Sequence, residues 1–389
     1  MEAKYQLILL GSTNDFKQEV ISVFLKHIQE LGMNSDSVEI ISEKNFNRYR
    51  ANFPVFCIYF GDTNSNYQNL DLIKQLLADS SLILPVVSNL KNLNSEIPEI
   101  LRSINGFELN SKYDIEKLVS CTLEGLSLLR LSRRVFISYK RDESSSVAIQ
   151  LYEKLEANGF DVFLDTHSVR PGEPFQDELW HRMADTDLVL LLNTSGFLKS
   201  EWTTKELAKA NSMSIGIYQL IWPDHKQERE AELTIPMKLT TSDFIENGKI
   251  NSRSILRDES LIKIVSQSES LRARSLASRQ DNIISEFLST ANNLRKAACL
   301  QSEKFITLKN SDNEEVVIIP TVGVPQAFTY NQSEELISQI KNRNVEKAYI
   351  LYDHRNIREK WINHLSWLDN YLPIKTIKII EAEKWLKKI

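Results

Sequence analysis

Val135-Phe136-Ile137-Ser138-Tyr139-Lys140-Arg141 is an apolar run with a polar, cationic end, and it reads as a buried strand over Val135–Tyr139. Ser144–Asn158 follows as a helix that stops at Gly159, and Phe160–Leu164 is a second strand ending in Asp165. The loop Thr166–Pro174 carries Pro171 and Gly172, Phe175–Ala184 is a helix, and Leu188–Leu192 is a very apolar strand. A helix over Trp202–Ala210, with Ser200 suited to its N-cap, leads to a strand at Ile215–Ile221. Apolar strands alternating with helices imply a parallel sheet covered on both faces.

Outside this central block, spanning about 132–248, the same alternation recurs. Residues 1–130 read as an N-terminal α/β domain with strands at Tyr5–Leu10, Val38–Ile41, Val55–Phe60 and Leu82–Val87. Its first helix carries Val20, Phe24, Ile28 and Leu31 at helical spacing; Asn14 or Asp15 is placed to cap its start, and Gly32 its end. Further helices fall near 68–78 and 113–130. From Gly248 to Pro320 no Gly or Pro intervenes, and Leu276, Ile283, Phe287, Ala291 and Leu294 trace one apolar stripe. Residues 249–302 therefore read as a helical connector whose stripe buries against a domain or a second chain. Residues 303–389 read as a small C-terminal α/β domain, a sensor or assembly unit. It opens with a hairpin of Phe305–Leu308 and Val316–Ile319 around Asn310–Asn313. Helices at 332–342 and 357–369, strands at Ala348–Tyr352 and Ile374–Ile380, and a last helix complete it.

Bulk numbers narrow the function classes. A chain of 389 residues is too long for one ordinary core. With 42% hydrophobic and 25% charged residues it has the composition of a soluble globular protein. A net charge of -5 gives no broad field for nucleic acid. No apolar run reaches the roughly 20 residues of a membrane span, and residues 5–10 read as a strand rather than a signal peptide. The 3 cysteines, Cys57, Cys121 and Cys299, are far apart and fit neither a disulfide framework nor zinc; a reducing cytoplasm is expected. The 6 histidines form no ligand-spaced cluster with cysteine, so no metal site is expected. Asp353-His354-Arg355, after a strand and with His364 nearby, is a candidate ligand-sensing surface.

The chemistry-bearing stretch is Ser200-Glu201-Trp202-Thr203-Thr204-Lys205-Glu206-Leu207. Read as a helix, it puts Trp202 and Glu206 on one face, one turn apart. An indole beside a carboxylate suits an enzyme that holds a flat heterocycle on a sugar and steadies positive charge as their bond breaks. Alone this spacing is weak evidence, since a solvated glutamate beside a core tryptophan gives it too. Asp165 reads as a residue that orders the following loop.

Four segments in order carry a resemblance. They are Val135–Arg141, Phe160–Asp165, Arg170-Pro171-Gly172-Glu173-Pro174-Phe175, and Leu188–Ser195 leading into Ser200–Ala210. Together they resemble a Toll/interleukin-1 receptor (TIR) domain, over about a third of the chain. The resemblance implies a flavodoxin-like parallel sheet with helices on both faces as the central one of three α/β units. Many TIR domains of bacteria cleave the nicotinamide–ribose bond of NAD+, and some cyclise the product. On that implication Glu206 is catalytic, and Trp202, Tyr139, Arg141, Val169, Gly172 and Phe175 bind substrate. The loop departs from the pattern of an animal enzyme of that family in an extra residue between Gly172 and Phe175 and in Arg170 standing where an acidic residue is found. NAD+ is then a substrate and no cofactor is implied, in keeping with the lack of a glycine-rich phosphate loop. Bacterial relatives act in antiphage defence under a trigger and self-associate through their TIR domains. A non-catalytic TIR scaffold is the alternative, disfavoured by Trp202 and Glu206. A deoxyribosyltransferase of related fold is disfavoured by Pro171-Gly172. Leu82–Val87, Ile97-Pro98 and Gly106–Leu109 resemble the closing strand and tail of a TIR domain without a W-x-x-x-E counterpart. That similarity implies an inactive copy in residues 1–130, and a generic α/β domain explains the same residues.

Overall fold

The computed structural model describes residues 5–12, 15–51, 53–164, 175–197, 208, 210, 215–223, 225, 234–246, 250–301, 304–339 and 345–389. The chain divides into two compact units, Met1–Ser132 with Asp258–Arg274, and Arg133–Arg257 with Ser275–Ile389. The helix Asp258–Asn293 therefore contributes its first half to one unit and its second half to the other.

In the first unit, β1 (Tyr5–Gly11), β2 (Val38–Ile41), β3 (Val55–Phe60), β4 (Leu82–Val87) and β5 (Phe107–Glu108) form a sheet ordered β2-β1-β3-β4-β5, all parallel. This is the flavodoxin-like order. Burial on both faces explains the near-continuous apolar runs of β1 and β3. The first helix, Lys17–Glu30, differs from expectation at its start. Phe16 holds the cap position in a helical conformation with no side-chain cap bond, so Asp15 does not cap it. A residue with helical φ/ψ there cannot turn a side chain back onto the first free N–H groups. Asn14 lies outside the described residues. The other end is as read: Gly32 has φ +68°, its amide bonds Gln29 O, and the Met33 amide bonds Ile28 O. Only glycine adopts this left-handed close freely.

Arg272 anchors the first half of the long helix within this unit. Its guanidinium is fully buried, 2.6 Å from Glu124 Oε1, and donates to the carbonyls of Arg130 at 2.5 Å and Ser132 at 3.2 Å. A fully buried cation is tolerated only when carboxylate and carbonyl oxygens replace its water.

In the second unit, β6 (Arg134–Ser138), β7 (Asp161–Leu164), β8 (Leu188–Asn193), β9 (Gly216–Ile221) and β10 (Ile235–Lys238) form a parallel sheet ordered β10-β9-β8-β6-β7. Counted from β6, this is again the flavodoxin-like order. β10 has no counterpart in the sequence reading. It is short, largely exposed and contains Pro236, which an edge strand accepts because one side needs no ladder donor. The helix Arg141–Ala157 closes at Gly159, with φ +84°, in the same bonding pattern as Gly32.

The same unit holds a mixed sheet, β11-β12-β13-β14-β15, built from Cys299–Leu300, Ile306–Lys309, Glu315–Thr321, Val345–Tyr352 and Lys375–Lys378. β12 and β13 form the expected antiparallel hairpin, and Asn310 Oδ1 fixes its loop by accepting from the Asp312 and Glu314 amides. The apolar stripe of the long helix packs here: Ile283, Ile284, Phe287 and Ala291 share one core with Ile306, Leu308, Val316, Ile318 and Leu351. Arg279, one step up that helix, donates to the carbonyls of Ala184 and Thr186, both at 2.6 Å. Among the described residues no helix is long and apolar enough to cross a membrane.

Arg272→Ala should destabilise the first unit by about 3–5 kcal/mol, since it leaves a largely buried carboxylate and two carbonyls without their donor. Denaturant unfolding of the full chain checks this as an earlier first transition.

Candidate active site

Right-handed crossovers place the helix after β6 on one sheet face and that after β7 on the other, because the chain reverses direction along the sheet at β7. The carboxyl ends of β6 and β8 are thus the switch point where open α/β sheets bind ligands. β6 and β8 are hydrogen-bonded neighbours, with Ser138 level with Leu191. The segments just beyond these two strands, Tyr139-Lys140-Arg141 and Thr194-Ser195-Gly196, flank that point.

Tyr139 is buried, at 5% exposure, directly after β6. Arg141 is exposed and is the first residue of the helix Arg141–Ala157. Phe175 is the first residue of the helix Phe175–Ala184. Val169, Gly172, Trp202 and Glu206 lie outside the described residues, as does the whole loop Thr166–Pro174. Of the helix read over Trp202–Ala210, Ala210 is described: it is buried in one core with Phe136, Val189, Leu191, Phe197 and Ile217. That core includes Leu179 and Met183 of the helix Phe175–Ala184.

Three features of the site were not read from the sequence. Glu143 bridges the two flanks of the switch point. Its Oε1 lies 2.8 Å from Lys140 Nζ, and its Oε2 accepts from the Gly196 amide at 2.9 Å. A Cβ at Gly196 would fall 2.2 Å from Glu143 Oε1, so a side chain there would displace the carboxylate from its bonds. Burial pushes the Glu143 carboxyl up, but the bonds from Lys140 and Gly196 and the lysine charge outweigh it and bring it down to about 2. The turn that carries Glu143 is set off from the rest of its helix by a non-helical Ser144, which is why the apolar periodicity begins only afterwards.

A second feature is Asn193, the last residue of β8. It is completely buried, and neither Nδ2 nor Oδ1 has a hydrogen-bond partner among the described residues. Gln219 Nε2 and Trp222 Nε1 are unpartnered in the same sense.

The third is a contact between the helix Phe175–Ala184 and the C-terminal residues. Glu178 is paired with Arg182 Nε at 2.8 Å and with Arg358 Nη1 at 2.5 Å. Burial raises the Glu178 carboxyl, and the two guanidiniums hold it below the usual range. His181 stacks on Trp361 with ring centres 5.5 Å apart, and burial lowers its basicity. Arg355 is engaged by Asp353 at 2.8 Å and by Glu286 at 3.2 Å, so its guanidinium is directed at carboxylates. Among the described residues no group of His, Cys, Asp and Glu gathers in a way that would hold a metal ion.

Glu143 ionises more readily in the folded chain than in the unfolded one. The stability it contributes is therefore complete above its ordinary value near 4.5 and is lost as pH falls toward about 2. Glu143→Gln should flatten the acid side of the stability curve in that window, read from thermal melts at stepped pH.

Residues 135–239 match the family model of the TIR domain. The chain is 23% identical over 126 residues to the 2′ cyclic ADP-D-ribose synthase BtTIR of Bacteroides thetaiotaomicron; the match covers 29% of this chain and 44% of that protein. The chain thus spans less than half the length of this relative. Among solved structures, a two-component system response regulator/GGDEF domain protein aligns over 68% of this chain and 97% of its own, at 10% identity and a TM-score of 0.29. Tagatose-6-phosphate ketose/aldose isomerase from Escherichia coli aligns over 70% and 82%, at 12% identity and a TM-score of 0.20. Likenesses at these scores carry no argument about this chain. The order of the four sequence segments, the strand order and the family model coincide on one stretch, and residues 135–239 of this chain are a TIR domain.

Proposed function

We propose that this protein cleaves the bond between nicotinamide and ribose in NAD+, with Glu206 as its catalytic residue. The observation that carries the reading is the Trp202-x-x-x-Glu206 spacing inside the stretch that matches the TIR family model. Ala210, four residues beyond Glu206 in sequence, is buried against the sheet face that ends at the switch point. The spacing of Trp202, Glu206 and Ala210 is that of one helical stripe in the sequence reading.

The chemistry needs one carboxylate. As the bond from C1′ to the pyridinium nitrogen breaks, its electron pair leaves with nicotinamide, which becomes neutral. Positive charge develops on C1′ and the ring oxygen of the ribose. Glu206 stabilises that charge, and no general acid is required because the leaving group is already cationic. Water adding to C1′ and losing a proton gives ADP-ribose. A ribose hydroxyl from the adenosine end adding instead gives a cyclic product, the class of compound named for the Bacteroides relative. Tyr139, Arg141, Val169, Gly172 and Phe175 would line the substrate, Arg141 offering its exposed guanidinium to the pyrophosphate. Trp202 would hold the flat ring.

An enzyme that consumes NAD+ needs a resting state, so the protein is read as a triggered effector of bacterial antiphage defence, acting in the cytoplasm and assembling through its TIR domains. Support for control from within the chain comes from Glu178–Arg358 and His181–Trp361. They join the helix that follows the substrate loop to the C-terminal residues.

Glu206→Gln should lower NAD+ turnover by roughly 10²–10³-fold while leaving the melting temperature within about a degree, since little packing changes. Product formation is followed by mass, at high protein concentration to favour assembly. A folded Glu206→Gln protein that turns over NAD+ at the wild-type rate ends the assignment.

A further inference from the structure

We propose that Asn193 recognises the carboxamide of the nicotinamide leaving group, and that this protein therefore selects NAD+ over its nicotinic acid counterpart. This rests on the NAD+-cleaving reading above. Asn193 shares a sheet face with Val189 and Leu191, both in the apolar core beneath Phe197 and Ala210. An apolar side chain would continue that pattern. Instead the position holds a primary amide that is wholly buried and lacks a partner for both its nitrogen and its oxygen among the described residues. Its backbone is accounted for, since the Asn193 carbonyl accepts from the Trp222 amide at 3.0 Å. Unpaired buried amides are costly, and one at a ligand-binding edge calls for a partner that the folded chain does not supply.

The chemistry of that partner is set by the side chain. A primary amide offers one donor and one acceptor side by side, and its best complement is another primary amide, which pairs with both. Nicotinamide carries such a group. A carboxylate in its place, as in nicotinate, has acceptors only and sets an oxygen against Asn193 Oδ1. Gln219 strengthens the case. It is level with Leu191 on the adjacent strand, so it lies on the same face one step behind Asn193, and its Nε2 is an unpartnered donor too. Gln219 Oε1 is held by Thr234 Oγ1 at 2.9 Å, which fixes which end of the amide is free. Asn193 stands at the carboxyl end of β8, directly before the segment that leads into the Trp202–Ala210 stretch. A leaving group held there would lie on the face that also buries Ala210.

The test is binding of nicotinamide and of nicotinate to the full chain by ligand-observed NMR, with kcat/KM for NAD+ and for nicotinic acid adenine dinucleotide alongside. The wild type should bind nicotinamide at least about tenfold more tightly than nicotinate, the factor expected of one net hydrogen bond. Asn193→Leu should bring that ratio near one and melt no lower than wild type, because the replacement continues an apolar face. Where Asn193→Leu fails to fold, Asn193→Asp keeps the shape, exchanges the donor for an acceptor, and should weaken nicotinamide binding about tenfold. Equal binding of the two ligands by the wild type, or unchanged discrimination in a folded variant, overturns the proposal. Discrimination without any NAD+ cleavage would refute the cleavage reading and leave the amide site standing. Cleavage without discrimination would do the reverse.

Discussion

The reversal of strand order at β6 and β8 is the constraint on which the site depends. Because crossovers are right-handed, the reversal sends successive helices to opposite faces and leaves the carboxyl ends of the two strands uncovered by either. The sheet itself supplies a rigid floor whose buried side chains are apolar except at Ser138, Asn193 and Gln219. The other polar groups described at the site stand two to five positions beyond a strand end. Lys140 and Glu143 follow β6; Gly196 follows β8; Asn193 ends β8 itself. Glu143 holds the two flanks together through charged hydrogen bonds, and its low carboxyl value measures how firmly it stays ionised there.

Much of this fold was legible in the sequence because its strands are buried on both faces. β3, β4 and the helix Phe175–Ala184 stand where the apolar runs and their polar ends put them. Elements with little apolar content escaped the reading. β10 is exposed and proline-bearing, and β11 is two exposed residues. Of the two residues read as capping the first helix, Asp15 is displaced by Phe16, which holds the cap position without a side-chain bond, and Asn14 lies outside the described residues. The proposed pair Trp202 and Glu206 is a reading of spacing alone, since a helical register would set residues four apart on one face. Glu143–Gly196, Glu178–Arg358 and Arg272–Glu124 join residues 53, 180 and 148 positions apart, and no periodicity records such meetings. Asn193 was in view as part of an apolar run, but only its lack of a partner distinguishes it, and partners exist only in three dimensions.

The two parallel sheets share one strand order and differ at their switch points. In the first unit, Ser12 Oγ after β1 donates to Asp62 Oδ2 after β3, and Gly11 N donates to Asn69 Oδ1. The polar groups there satisfy one another. At the TIR domain's switch point Glu143 likewise joins the flanks, but Asn193 there, and Gln219 and Trp222 in and just after β9, keep polar atoms unpartnered among the described residues. One strand order thus supports a closed edge and an edge with open hydrogen-bonding capacity, and fold alone does not separate the two.

The C-terminal sheet is not a freely tethered module. Ala184, the last residue of the helix Phe175–Ala184, is buried in one core with Phe305, Val317, Tyr330 and Ile350. Arg279 closes the carbonyl end of that helix, and Arg358 holds Glu178 within it. Removing residues 303–389 would strip an apolar face and a buried carboxylate at once, so truncation confounds loss of regulation with loss of fold. If the proposed regulation holds, a signal from this sheet would have a short route to the TIR domain, through a helix whose first residue follows Val169 and Gly172 in sequence. A trigger acting there needs only to bind one arrangement of Glu178–Arg358 and His181–Trp361 better than another, and about 1.4 kcal/mol of such preference shifts the population tenfold. Under the proposed function, control by a sheet that shares a core with the TIR domain would be energetically modest, and the surface to probe for it is the C-terminal sheet.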